Sequence, residues 1–93
     1  MPRVEIRQSH HVTPDEARRR VEHLQGDLQQ RFGLVPTWVS PNEMRVSRSG
    51  ANGSLRIGAD EITVLIDLPF LLSPLKGEIE SQVRRELGEL FAV

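Results

Sequence analysis

Ninety-three residues at 38% hydrophobic content, with no low-complexity tract, fit one compact domain over residues 1–93 and are too few to divide into two. Cysteine is absent, which removes disulfides, thiolate metal ligands and cysteine nucleophiles together and points to a reducing, cytoplasmic setting. Twelve Lys and Arg, eleven of them Arg, against thirteen Asp and Glu leave a net charge of −1, which argues against nucleic acid as a partner, since phosphate neutralisation normally demands a basic excess.

The opening MPRVEIRQ has no apolar core of a leader, and no run reaches the ~20 residues of a membrane span, so neither is expected. Residues 3–9 alternate, with Val4 and Ile6 on one face and Arg3, Glu5 and Arg7 on the other, which predicts a first strand. His10 and His11 follow it. Neighbours on a strand point to opposite faces, so the two rings do not converge on one ion; His23 lies on the polar side of the next helix, and no HExxH spacing exists. No metal site and no cofactor are expected.

Thr13-Pro14-Asp15-Glu16 is a helix start, with Thr13 as N-cap, Pro14 at the first position and Glu16 completing a capping box. Over 14–32, Ala17, Val21, Leu24, Leu28 and Phe32 form one apolar stripe, and Gly33 supplies a left-handed cap. Asp15–Arg19, Glu16–Arg20 and Asp27–Arg31 have four-residue spacing, so Arg18-Arg19-Arg20 reads as a solvated, partly paired helix face. Gly26 here, and Gly88 in the last helix, lie opposite their stripes. Either they are tolerated, or they let another backbone approach in a weak homodimer.

Strands follow at 34–39, 43–49, 54–59 and 61–68. The first two form a hairpin around Ser40-Pro41-Asn42, with Met44 and Val46 inward and Trp38, the one Trp, at the edge of the core. Ser49-Gly50-Ala51-Asn52-Gly53 reads as the next turn, in which Asn52-Gly53 tolerates the positive φ angles of a tight hairpin connection. Gly50 and Gly53 do not make a phosphate loop, because no helix follows to offer its N-terminus. In the last strand Ile62, Val64, Ile66 and Leu68 face inward, and Leu65 is the lone apolar residue among Glu61, Thr63 and Asp67. Pro69 ends the ladder. Ser73 as N-cap and Pro74 at the first position start a helix over 74–90, with Leu75, Ile79, Val83, Leu87 and Leu90 on its stripe and Phe91 off it, partly exposed.

The predicted fold is therefore α+β: a single antiparallel sheet of about five strands with two helices packed on one face, in the order β-α-β-β-β-β-α.

Three segments carry a resemblance: Arg48-Ser49-Gly50-Ala51-Asn52-Gly53-Ser54-Leu55, Leu68-Pro69-Phe70-Leu71-Leu72 and Leu75-Lys76-Gly77-Glu78-Ile79-Glu80. In these the chain resembles the polyhydroxyalkanoic acid system protein family, short bacterial proteins associated with the making, coating and use of polyester storage granules. Pro69 stands where many relatives are expected to have glycine. The resemblance implies a cytoplasmic bacterial protein at the surface of storage granules, whose partner is the granule or a granule-associated protein. It supplies no catalytic residues.

Four functions compete. A non-catalytic docking module would use Pro69, Phe70, Leu71, Leu72 and Phe91 as its apolar contact, provided these stand exposed. Strand-to-helix corners more often tuck such residues inward as a plug, and that is the expectation for the corner by itself. The alternative is a small apolar-ligand binder of reduced helix-grip, START-like type, with a void between Trp38, Met44 and the last helix. An enzyme would need converging perturbed groups, and only His10 or His11 with Asp67 offers a pairing, so none is expected. Double-stranded RNA binding lacks both a lysine cluster at the last helix and aromatics on the outer sheet face.

Overall fold

The computed structural model describes residues 3–48 and 50–91. Strand β1 (Arg3–Ser9) leads into α1 (Pro14–Phe32), followed by β2 (Val35–Ser40), β3 (Glu43–Arg48), β4 (Ala51–Ile57) and β5 (Glu61–Asp67). A 3-10 segment (Phe70–Leu75) then runs directly into α2 (Lys76–Leu90). The sheet is antiparallel throughout, with order β1-β5-β4-β3-β2. Hairpins join β2 through β5, and β1 closes onto the far side of β5 after the α1 excursion. This is the α+β architecture expected from the alternation of periods two and 3.6 along the chain.

Both helices lie on one face of the sheet, α2 beneath β1 and α1 toward β2 and β4. Val4, Ile6, Met44, Val46, Leu55, Ile57, Ile62, Val64 and Ile66 from the strands meet the α1 stripe and Ile79, Val83 and Leu87 of α2 in one buried cluster. Thr13 is in extended conformation and its hydroxyl accepts from the Glu16 amide at 3.2 Å, while Gly33 (φ 65°) closes α1 in a left-handed cap. Arg48 reaches back to donate to the Phe32 carbonyl, placing a cation at the negative end of the α1 dipole.

Three local expectations differ from the structure. The turn expected over 49–53 is shorter: Asn52 and Gly53 pair within β4, and the chain reverses between Arg48 and Ala51, where Gly50 has φ 88°. The expected third strand's last position, Ser49, lies outside the described residues. Ser73 caps nothing, and Ser73-Pro74 lies within the 3-10 segment, so α2 starts at Lys76 rather than at 74. Phe91, expected off the stripe and partly exposed, is 2% exposed. Spaced four residues beyond Leu87, it continues the line of Ile79, Val83 and Leu87, and its ring packs 5.7 Å from that of His10 under the Arg20 guanidinium.

Candidate functional site

The corner after β5 is built by one proline and a change of helical pitch. Pro69 (φ −66°, ψ 160°) cannot donate to a ladder, and its carbonyl instead accepts from the Leu72 amide at 2.9 Å, which opens the 3-10 segment. At three residues per turn, Leu72 and Leu75 fall on the same side, and both pack partly against the core. Phe70 and Leu71 are thereby turned outward and are 86% and 87% exposed. The expected plug therefore exists only in Leu72 and in the buried Leu68 before it. Pro69 is half-buried, and the space beside Gly50 is bounded by its ring, a Cβ there lying 3.5 Å from Pro69 Cγ. Two of the three stretches that carry the resemblance, the 48–55 turn and the 68–72 corner, thus touch in space.

Phe91 does not join this surface. It sits at the opposite end of α2, buried among His10 and Arg20, and the apolar contact reduces to Phe70 and Leu71 set on a half-buried Pro69 and Leu72.

The candidate acid–base pair is separated by the sheet register. Asp67 stands opposite Arg3 and binds its guanidinium at 2.7 Å, a hydrogen bond that lowers the Asp67 pKa and raises that of Arg3. His10 lies beyond the other end of β1, buried, with Nε2 donating to the Gly58 carbonyl at 2.8 Å while Nδ1 accepts from the Val12 amide at 3.4 Å. His11 is exposed.

The open sheet face holds a shallow concavity of about 560 Å³ among Arg3, Arg45, Ser54, Arg56 and Asp67. Its cations are engaged: Arg3 with Asp67, and Arg45 and Arg56 each at 3.3 Å from Glu43. The ligand-binding alternative needed a void beside Trp38 and Met44. Met44 is fully buried in the same cluster as α2, while Trp38 packs against that cluster, donates to Gln25 at 2.9 Å and carries Arg18 over its ring at 4.5 Å. Gly26 and Gly88 have no neighbour within 4 Å of the point a Cβ would occupy, so neither marks a close backbone approach within the described residues. No helix among the described residues is long and apolar enough to cross a membrane.

A family model described as "Putative polyhydroxyalkanoic acid system protein" matches residues 4–91. No curated protein matches the chain. Among solved structures, the NMR structure of PA4090 from Pseudomonas aeruginosa is similar at a TM-score of 0.60 and 14% identity, covering 100% of this chain and 88% of that one, a likeness of fold.

Proposed function

Because the chain belongs to the polyhydroxyalkanoic acid system protein family, we propose that it is a non-catalytic cytoplasmic component of the polyester storage system that docks through the Phe70–Leu71 corner on the granule or on a granule-associated protein. The observation that carries this reading is the exposure of two adjacent large apolar side chains, 86% and 87%, on a short 3-10 turn. Isolated exposed apolar residues are ordinary, but a contiguous pair held outward by Pro69 and anchored by Leu72 is arranged for contact.

Covering the two side chains is worth roughly 3 to 6 kcal/mol before the cost of immobilisation. A single corner thus binds reversibly, which suits a protein that exchanges between granule surface and cytoplasm. A polyester inclusion presents an apolar counter-surface with ester oxygens and no requirement for charge, in keeping with a contact whose outward residues carry none.

The test is partition of purified protein between buffer and protein-free polyhydroxyalkanoate particles. Wild type should sediment with the particles, and Phe70→Ser/Leu71→Ser, checked for unchanged circular dichroism, should lose at least tenfold in partition. Wild type that stays in the buffer would remove direct docking. Pull-down from granule extracts with the same two proteins would then decide whether a coat protein takes the corner.

A further inference from the structure

Among the described residues the sheet has two free edges, and they are built differently. Three hydrogen bonds fix which way the main chain points along every strand: His10 N–H to Asp60 at 2.9 Å, Gly58 N–H to Glu61 at 2.8 Å and Ile57 N–H to Asn42 at 2.8 Å. Main-chain groups alternate sides along a strand, so these bonds with the registers place every strand. On β2 the outward positions include Pro36, which has no N–H, and a register shift follows between Trp38 and Ser40. Proline and a bulge are the usual means of blocking an edge.

On β1 the even positions Val4, Ile6 and Gln8 bond to β5. The N–H and C=O groups of Arg3, Glu5, Arg7 and Ser9 therefore point away from the sheet, along seven residues with no proline and no register shift. Among the described residues only β5 and α2 make substantial contact with β1. Among the described residues this edge is guarded by side-chain charge alone, and that charge is self-complementary.

We propose that β1 pairs antiparallel with β1 of a second copy about a twofold axis through Ile6, joining two sheets into one. In this register Arg3 stands opposite Ser9 of the second copy and Glu5 opposite Arg7, and each of these pairs exchanges main-chain hydrogen bonds because all four residues point outward. Every residue of β1 is used. Sliding the copies by two positions in one direction sets Glu5 against Glu5 and Arg3 against Arg7. Sliding in the other sets Arg7 against Arg7 and leaves Glu5 opposite Ser9. Opposed like charges destabilise a cross-strand pair and opposed unlike charges stabilise it, so the Ile6-centred register is selected over its neighbours. Glu5 and Arg7 now meet only at 3.8 Å along their own strand, with side chains 53% and 65% exposed, and both are available to the partner copy. Because α2 lies beneath β1, the twofold also brings the two α2 helices side by side under the joined sheet.

Sedimentation equilibrium from about 10 µM to 1 mM tests this, a range that suits a modest strand-edge interface. Wild type should form a dimer. Glu5→Arg and Arg7→Glu should each weaken it about tenfold or more, through two symmetry-related like-charge pairs. The double exchange Glu5→Arg/Arg7→Glu restores both pairs and should return the constant to within about threefold of wild type. Glu5→Pro removes an outward donor without touching the β5 ladder and should leave a folded monomer. A wild type that is monomeric throughout, a dimer indifferent to Glu5→Arg, or a dimer strengthened by Arg7→Glu each overturns the proposal.

Discussion

Gly53 sits in the middle of β4 where a methyl group would come within 2.8 Å of the Leu65 carbonyl and 2.9 Å of side-chain carbons of Ile66 and Val46. Two of those contacts are core atoms of neighbouring strands and one is backbone, so the sheet cannot yield cheaply. Gly53→Ala is expected to cost about 1–3 kcal/mol, read as a lower urea midpoint with unchanged slope. Gly26 gives the opposite sign. It is helical, with nothing near its missing Cβ, and Gly26→Ala should stabilise by about 0.5–1 kcal/mol. The sequence places Asn52-Gly53 among the strongest turn signals, yet the pairing of Leu55 with Met44 and Val64 requires Ala51 to enter the core. Tertiary packing sets the reversal at Gly50, three residues before Gly53, and leaves Asn52-Gly53 inside the strand. The same limit applies to His10, which reads as a polar residue ending a strand. Its burial depends on Gly58 and Phe91, each remote in sequence, and no local pattern signals them.

At the scale of elements the helix starts make a contrast. Thr13 was legible as a cap because Pro14 and Glu16 support it, and its hydroxyl does accept from the Glu16 amide. Ser73-Pro74 has the same local chemistry without the result, because Pro69 has already begun a 3-10 segment that carries through it. Thr13→Ala should therefore cost about 1 kcal/mol while Ser73→Ala stays within about 0.5 kcal/mol, both read from thermal or urea unfolding. Where α1 meets α2, burial raises the Glu86 pKa first, and hydrogen bonding and charge from Asp27 raise it further, against weaker opposing effects of Gln82 and Arg31. The fold thus favours protonated Glu86. Stability falls as pH rises from the ordinary glutamate range through the raised value, and the penalty is complete above that value. Glu86→Gln should be more stable than wild type at pH 7, with the difference vanishing as the pH drops below the ordinary range.

For the whole molecule, periodicity was enough to give the layers: strand alternation and two helical stripes define which face of each element is buried, and the α+β order follows from them. What periodicity does not encode is the direction of residues after the pattern stops. Phe70, Leu71 and Leu72 are equally apolar, and only the three-residue pitch imposed after Pro69 turns Leu72 in and its neighbours out. The α2 stripe had a usable signal for Phe91, in the four-residue steps from Ile79, but the corner had none. The exposure of Phe70 and Leu71 has a thermodynamic consequence independent of any partner. Side chains that remain in water after folding contribute little to it, so Phe70→Ser/Leu71→Ser should shift unfolding free energy by no more than about 0.5 kcal/mol. Leu68→Ser, one turn of chain earlier and 1% exposed, places a hydroxyl in the core and should lose about 2–5 kcal/mol. Parallel urea titrations of the two variants separate the corner's outer pair from its inner anchor. A large loss in the outer pair would mean those side chains are buried in solution, and the docking contact would then have no surface to act through.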